Sequence, residues 1–187
     1  MVLRSIRMSA FAVPHSIRLV EASDQPILWE ILYEALWDPP NGPRRPRSVM
    51  GNPHIAAYVE NWGSRETDLG FLAISHEGAV AGGILSRLLV PPLQGGAFYD
   101  EQTPQLGIAV FPAFQKQGIG TALFQRYFAE AVLRFPRVSL SVHPENQVAI
   151  HLYKTFGFQQ FATGKGGYLN MVKILQNQGE PAQEISR

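Results

Sequence analysis

The chain has 187 residues, of which 45% are hydrophobic and 17% are charged, a composition typical of a single folded domain and not of a disordered chain. Its 16 Lys and Arg residues against 15 Asp and Glu residues leave a formal net charge of +1, so no strong positive field argues for a nucleic-acid partner. The absence of cysteine excludes disulfides, thiol nucleophiles and thiolate metal sites, which fits a reducing compartment.

We predict one domain over residues 16–175, preceded by an N-terminal extension over residues 1–15 and followed by a polar C-terminal tail over residues 176–187. The extension lacks the apolar core of a secretory signal, and no later segment approaches the roughly 18 apolar residues of a membrane span. We therefore expect a cytoplasmic protein without membrane contact.

Alternating and helically spaced apolar residues predict the elements of the first half of the domain. In chain order these are a strand over residues 16–20, a helix capped by Asp24 that runs to Leu36, a loop over 41–48, a short helix over 53–61, and a hairpin with strands over 69–75 and 79–90. The loop contains Arg44, Arg45 and Arg47. We interpret it as a solvated connection, with the edge of a substrate cleft as the alternative.

The second half of the domain begins with an apolar strand and ends with a pair of strands. The predicted elements are, in order, a strand over residues 105–111, a helix over 118–134, a strand over 137–143, a helix from 145 or 146 to 157, and strands over 158–162 and 168–175. The strand over residues 137–143 alternates apolar and polar side chains, so we expect Ser139, Ser141 and His143 to share one face.

Residues 105–121 join an apolar strand through a short loop to a helix that begins near Gly118 and Gly120. The first turn of a helix has N–H groups without partners, and glycine lets an anion approach them closely, so this segment predicts a phosphate site. The third glycine of a dinucleotide-binding fingerprint is replaced by Leu123, and the lysine of a P-loop is absent after Gly120. We therefore predict a pyrophosphate held mostly by backbone amides, and we disfavour a nucleotide-binding interaction protein.

Three features of the second half resemble the GNAT N-acetyltransferase superfamily. The segment Gln-Lys-Gln-Gly-Ile-Gly at residues 115–120, after a strand that includes Val110, is similar to the family motif Q/R-x-x-G-x-G/A. Asn146 is similar to the family's cofactor-facing asparagine, and residues 153–158 are similar to its helix end Tyr-x-x-x-Gly-Phe. The order of elements over residues 16–175 also fits. The resemblance implies an α/β fold in which helices flank a mixed, mostly antiparallel central sheet.

The resemblance implies an enzyme that transfers an acetyl group from acetyl-CoA directly to a primary amine, without a metal. The amine would belong to a small molecule, a peptide or a protein, and a homodimer is left open. A non-catalytic CoA-binding or regulatory module on the same fold is the alternative. By resemblance, residues of the strand, the loop and the later helix contact acetyl-CoA: Ile108, Val110, Gln115, Lys116, Gln117, Gly118, Ile119, Gly120, Thr121, Asn146 and Tyr153.

Tyr153 lies on the same helix face as Asn146, about two turns further along, so both side chains can face one extended ligand. By the same resemblance, Tyr153 is the general acid that donates a proton to the leaving thiolate. A core aromatic residue with its hydroxyl group at the surface is the alternative interpretation of Tyr153.

The general base is left open, because many family members have a glutamate on the fourth strand and this chain has Gln105 at the start of that strand. A carboxamide cannot take up a proton, whereas imidazole is the side chain that ionises nearest to neutral pH. The candidate bases are Glu101, Asp100 and His143, with weaker cases for His54 and His151.

The resemblance also implies that the fourth and fifth strands separate to admit the cofactor arm. We expect a break in the pleat near Gly107, which would release a backbone N–H group to stabilise the oxyanion of the thioester. A glycine that is kept small for close packing is the alternative.

Overall fold

The structure, a computed structural model, describes residues 15–175. The predicted C-terminal tail over residues 176–187 and, apart from His15, the predicted N-terminal extension over residues 1–15 lie outside the described residues. Within the described range, no helix has the length and apolar character that crossing a membrane requires. The cytoplasmic location and the homodimer stay predictions.

Seven strands and four α-helices form in the described residues, and each corresponds to an element predicted from the sequence. In chain order they are β1 (His15–Leu19), α1 (Gln25–Ala35), α2 (Pro53–Ala56), β2 (Leu69–Ser75), β3 (Val80–Arg87), β4 (Gln105–Val110), α3 (Ile119–Ala131), β5 (Arg137–Val142), α4 (Gln147–Thr155), β6 (Gln159–Thr163) and β7 (Leu169–Ile174). The largest departure is α2, which ends at Ala56 and not near Asn61. The chain beyond α2 forms successive turns whose carbonyl groups accept hydrogen bonds from Arg87.

All seven strands form one sheet in the order β1-β2-β3-β4-β5-β7-β6. Neighbouring strands are antiparallel except for β4 and β5, which are parallel. The predicted fold, a mixed and mostly antiparallel sheet flanked by helices, is confirmed. β4 and β5 pair at a single position, Gln105 with Ser139, so the two strands separate beyond it.

The predicted break in the pleat at Gly107 is wrong, because the antiparallel register of β3 and β4 continues through the pairing of Gly107 with Leu85. The packing alternative is not supported either, since a Cβ atom at Gly107 would meet no atom within 4 Å. The opening between β4 and β5 comes instead from the divergence of two twisted parallel strands beyond their single pair. Gly107 lines this opening without adding a side chain to it.

Helices cover both faces of the sheet and bury two apolar clusters. α3 and α4 pack on one face through side chains such as Phe124, Tyr127 and Ile150, which are at most 5% exposed. α1 packs on the other face through Leu28 and Ile31, which are fully buried. The opening between β4 and β5 therefore has a helical layer on each side of the sheet.

Arg87 is a fully buried cation that joins β3 to the irregular segment after α2. Its guanidinium group donates to both carboxylate oxygens of Asp68, at 2.6 and 2.7 Å, and to the carbonyl oxygens of Ala57 and Glu60. The Trp62 ring centroid lies 5.2 Å from the guanidinium carbon. Because these contacts are shielded from water, the ion pair holds the segment between α2 and β2 in one conformation.

Candidate active site

A cavity of about 690 Å³ lies in the opening between β4 and β5. Its volume is within the range of small-molecule binding sites. The wall is built from α1, α2, α4, β4, β5 and β7, from the chain on either side of α2, and from the loops that precede β4, α4 and β7. Both helical layers therefore contribute to one site.

Some of the predicted site residues line the cavity: Ile108, His143, Asn146 and Tyr153. His54, one of the weaker candidate bases, also lines it. Glu101 lies on an exposed turn and is not brought to the wall, and Asp100 pairs with Arg137 at 3.3 Å. Among residues 15–175, no group of three or more His, Asp or Glu side chains is placed to hold a metal ion.

The predicted pyrophosphate loop leads into α3, and Gly118 is the N-terminal cap residue of that helix with a φ of 77°. This left-handed conformation favours glycine, and a Cβ atom at Gly118 would meet no atom within 4 Å. The N–H groups in the first turn of any helix have no intrahelical partners, and here no side chain caps the helix either. An anionic phosphate group fits this arrangement.

The remaining loop residues differ in what they can offer a ligand. Several side chains are exposed: Gln115, Lys116, Gln117 and Thr121. Ile119 is 1% exposed and its side chain packs in the core, so only its backbone can contact a ligand. Gln115 donates a hydrogen bond from Nε2 to the carbonyl oxygen of Val110 at 3.2 Å, which ties the loop to the end of β4.

Asn146 both caps α4 and lines the cavity. Its Oδ1 atom accepts a hydrogen bond from the N–H group of Ala149 at 3.2 Å, which is the usual role of a helix cap. The side-chain NH₂ group of Asn146 has no hydrogen-bond partner within the described part of the chain. It is therefore available to a ligand in the cavity.

Tyr153 is 9% exposed, and its ring packs against those of Phe124 and Phe158 at centroid distances of 5.8 and 5.9 Å. The residue lines the cavity, and its hydroxyl group has no hydrogen-bond partner in residues 15–175. Burial raises the pKa of Tyr153 well above its ordinary value, because the phenolate would be poorly solvated. The phenol therefore stays protonated at neutral pH and can act as a proton donor.

Gln105 is fully buried at the start of β4. Its side-chain oxygen accepts hydrogen bonds from the Tyr58 hydroxyl group at 3.0 Å and the Ala97 N–H group at 3.2 Å, and its Nε2 donates to the Leu89 carbonyl oxygen at 3.4 Å. A Cβ atom at Gly95 would collide with both the Tyr58 hydroxyl group and the Gln105 oxygen. Gln105 therefore anchors the loop before β4 and has no acid–base role.

His143 lies between two aromatic rings, with centroid distances of 4.8 Å to Trp37 and 5.2 Å to Tyr168. Its Nδ1 atom accepts a hydrogen bond from the N–H group of Glu145 at 3.2 Å. Because a backbone N–H group can only donate, Nδ1 carries no proton, and the proton of the neutral ring is on Nε2. Nε2 of His143 is thus a hydrogen-bond donor and has no lone pair with which to accept a proton.

His54 has the opposite arrangement. Its Nδ1 atom lies 3.3 Å from the carbonyl oxygen of Gln94, which can only accept, so Nδ1 carries the proton and Nε2 has a free lone pair. Protonation of His54 keeps this hydrogen bond, whereas protonation of His143 would break its bond from Glu145. Of the two histidines, His54 is the better suited to accept a proton.

Other residues on the wall have no local sequence signal. Asn170 accepts a hydrogen bond from the Ser141 hydroxyl group at 2.9 Å and donates one to the Gly96 carbonyl oxygen at 2.7 Å, which links β5 and β7 to the loop before β4. Lys165 comes from the turn between β6 and β7. Arg45 is the one cavity residue in the basic loop, so the cleft-edge alternative for that loop applies to its side chain.

A sequence model described as the Acetyltransferase (GNAT) family matches residues 29–158, more than half of the chain. The chain belongs to this family. The predicted resemblance to the GNAT superfamily is confirmed. No curated protein matches the sequence.

Solved structures of other acetyltransferases share the GNAT fold with this chain. yncA from Salmonella typhimurium, solved with its cofactor acetyl-CoA, is 20% identical with a TM-score of 0.63, covering 90% of this chain and 98% of that chain. The ribosomal-protein-S18-alanine N-acetyltransferase from Escherichia coli is 21% identical with a TM-score of 0.60, covering 89% and 97%. A phosphinothricin acetyltransferase from Sinorhizobium meliloti, in complex with acetyl-CoA, is 18% identical with a TM-score of 0.61, covering 91% and 95%. Two of these names give an acceptor, the alanine of ribosomal protein S18 and phosphinothricin, and the two differ, so the shared GNAT fold does not select one.

Proposed function

We propose that this GNAT protein transfers an acetyl group from acetyl-CoA directly to an amine bound in the cavity between β4 and β5. The proposal rests on Tyr153, a buried phenol on the cavity wall whose hydroxyl group has no hydrogen-bond partner in the described residues. The first turn of α3, together with Ile108, Val110 and Asn146, would hold acetyl-CoA, whose thioester supplies the activated acetyl group. The uncapped helix start and the open surface at Gly118 support this placement.

Direct transfer of the acetyl group requires two proton transfers, one from the amine and one to the departing thiolate. A free amine is mostly protonated near neutral pH, so it must lose a proton before it can attack a thioester. We assign this proton to Nε2 of His54. The departing thiolate must gain a proton, and we assign that step to the hydroxyl group of Tyr153. No covalent enzyme intermediate is required.

A non-catalytic CoA-binding module remains the second candidate. It is favoured by Gln105, which is neutral, buried and fully engaged in hydrogen bonds at the start of the strand on which many GNAT enzymes have a glutamate. Such a module would use the same loop before α3 and would not need Tyr153 or His54. A measurement of turnover therefore distinguishes the acetyltransferase from the binding module, whereas a measurement of acetyl-CoA binding does not.

Gly118 offers a matched pair of variants for the cofactor site. Asp and Asn are similar in size and both tolerate a left-handed backbone, so they differ mainly in charge. We expect Gly118→Asp to abolish binding of acetyl-CoA, because a carboxylate would repel the pyrophosphate, and Gly118→Asn to weaken binding far less. At about 100 times Kd, acetyl-CoA should stabilise the wild-type fold by about 2.7 kcal/mol, measured as a rise in Tm.

The thermal shift is paired with an assay for free thiol in the presence of a panel of amines. A rise in Tm together with release of CoA is the expected result. A rise in Tm without release on any amine would support the binding module, and no rise would contradict both functions. Tight binding by Gly118→Asp would refute the assignment of the loop.

The two histidines can be separated by the variants His54→Gln and His143→Gln. We expect His54→Gln to lower kcat/KM by about 10²-fold near neutral pH. The loss should shrink as the pH rises, because a basic acceptor then loses its proton to solvent. We expect a smaller effect for His143→Gln that does not depend on pH. A pH–rate profile of His54→Gln that matches the wild type would remove His54 from the mechanism.

A further inference from the structure

The charges on the cavity wall are all of one sign. Arg45 and Lys165 line the cavity, and none of its lining residues, all of which fall in the described range, is Asp or Glu. The other polar groups on the wall are neutral amides, hydroxyl groups and the imidazoles of His54 and His143. The lining residues therefore include two cations and no carboxylate, and the carboxylate that pairs with Arg45, that of Asp38, lies outside the wall.

Arg45 is held in one orientation by a carboxylate that is not part of the wall. Its Nε atom donates to Oδ1 of Asp38 at 2.7 Å, and its backbone N–H group donates to the second oxygen of the same carboxylate at 3.1 Å. One terminal nitrogen donates to the carbonyl oxygen of Trp37. The other terminal nitrogen has no partner in the described part of the chain, and the side chain is 24% exposed. The guanidinium group is thus fixed from behind and keeps donors available to a ligand.

Lys165 is placed differently. It lies in a glycine-rich turn between Gly164 and Gly166, and it is exposed. No carboxylate in residues 15–175 lies within ion-pair distance of its ammonium group, whereas several of the arginines in that range are paired. Its charge is therefore free to act on a ligand in the cavity.

We propose that the acceptor is an amine whose molecule also carries an anionic group, with that group bound by Arg45 and attracted by Lys165. The proposal rests on the acetyltransferase function and names the class of its second substrate. A guanidinium group binds a carboxylate or a phosphonate through parallel hydrogen bonds. A polyamine, which brings only positive charge, would be repelled by the same wall.

The same charges act on the reacting amine. The Lys165 ammonium group, which has no ion-pair partner in residues 15–175, disfavours the ammonium form of a nearby amine and so lowers its pKa. The anionic group of the acceptor, held by Arg45, offsets this repulsion in binding. A cavity of this kind has less need of a glutamate on β4, where the chain has the neutral Gln105.

The test uses the full chain and pairs of amines that differ by one acidic group. L-Methionine is compared with 3-(methylthio)propylamine, L-phenylalanine with phenethylamine, and 3-aminopropylphosphonate with propylamine, with spermidine as a polycation. Release of CoA is expected to show a kcat/KM at least about tenfold higher for the acid-bearing member of at least one pair. The carboxylate and phosphonate arms show which anion the cavity takes.

Arg45→Met is expected to raise KM for the acid-bearing acceptor by about tenfold or more and to leave KM for acetyl-CoA unchanged. Arg44→Met is the matched control, because Arg44 lies in the same loop, pairs with Glu34 at 2.8 Å and does not line the cavity. Lys165→Met, in an exposed turn, provides a second variant that is not expected to disturb folding.

Three results would overturn the proposal. Equal or better turnover of the acid-free amines or of spermidine would overturn the acceptor class and leave the acetyltransferase function intact. A rise in KM for acetyl-CoA in Arg45→Met and Lys165→Met would assign these cations to the cofactor instead. Release of no CoA with any amine, in a protein that binds acetyl-CoA, would overturn the proposed function and the acceptor class together.

Discussion

Replacing Tyr153 by phenylalanine is expected to lower kcat for acetyl transfer by about 10²- to 10⁴-fold and to leave the affinity for acetyl-CoA nearly unchanged. A phenol is protonated at neutral pH even at its ordinary pKa, so the wild-type residue on the cavity wall can give a proton to the departing thiolate. Phenylalanine retains the ring contacts with Phe124 and Phe158 and removes only the hydroxyl group. That group has no partner in the described residues, so we expect the fold of the variant to be intact.

The matched control for this variant is Tyr127→Phe. Tyr127 is also a buried tyrosine with a raised pKa, but it lies outside the cavity and donates a hydrogen bond to the Ser86 hydroxyl oxygen at 2.8 Å. We expect this control to lose about 1 kcal/mol of stability and to keep its kcat. Steady-state kinetics and unfolding curves of both variants separate the two effects. Wild-type turnover by Tyr153→Phe would exclude Tyr153 as the acid.

Replacing Arg87 by methionine is expected to destabilise the protein by about 3–5 kcal/mol. Methionine fills much of the same volume but leaves the Asp68 carboxylate buried without its donors. The carbonyl groups of Ala57 and Glu60 lose their donor as well. An unpaired buried charge costs more free energy than the ion pair contributes, so the loss should exceed that of an ordinary polar substitution.

Urea unfolding of Arg87→Met and of the control Arg126→Met measures this difference. Arg126 pairs with Glu130 at 3.0 Å on the surface of α3 and is 42% exposed, so we expect its replacement to cost less than about 1 kcal/mol. A double variant, Arg87→Met with Asp68→Leu, should recover part of the loss, since it removes both buried charges. Equal stability of the Arg87 and Arg126 variants would contradict the structural role given to Arg87.

The elements that sequence patterns predicted well are those that depend on neighbouring residues. The loop before α3 is one example, because the left-handed Gly118 and the uncapped first turn of the helix lie within a few residues of each other. The mixed, mostly antiparallel type of sheet followed from the resemblance of such local motifs to a known family, whereas the strand order and the parallel pairing of β4 with β5 came from the structure. Boundaries were less accurate where a distant side chain intervened, as at α2, because the carbonyl groups of the turns that follow it accept hydrogen bonds from Arg87.

The residues that the sequence did not identify depend on partners far away in the chain. Nothing around Arg87 indicates that it is buried, because its partner Asp68 lies on a different segment. Gln105 was noticed as a missing base, and its contacts with Tyr58 and Ala97 show why an amide stands there. Gly107 was predicted to break the pleat, whereas the register continues through it.

Local patterns in the chain were thus sufficient to indicate the GNAT family and the type of sheet, and they predict a phosphate site before α3, because each depends on the backbone preferences and spacing of nearby residues. Long-range packing placed the Gln94 carbonyl group beside His54 and so assigned the proton of that ring, whereas the Glu145 N–H group that assigns the proton of His143 lies only two residues further along the chain. Packing also gathered Arg45 and Lys165 onto one wall. The charge of a cavity is the sum of the side-chain charges on segments that only folding brings together. It therefore cannot be predicted from any single stretch of the sequence.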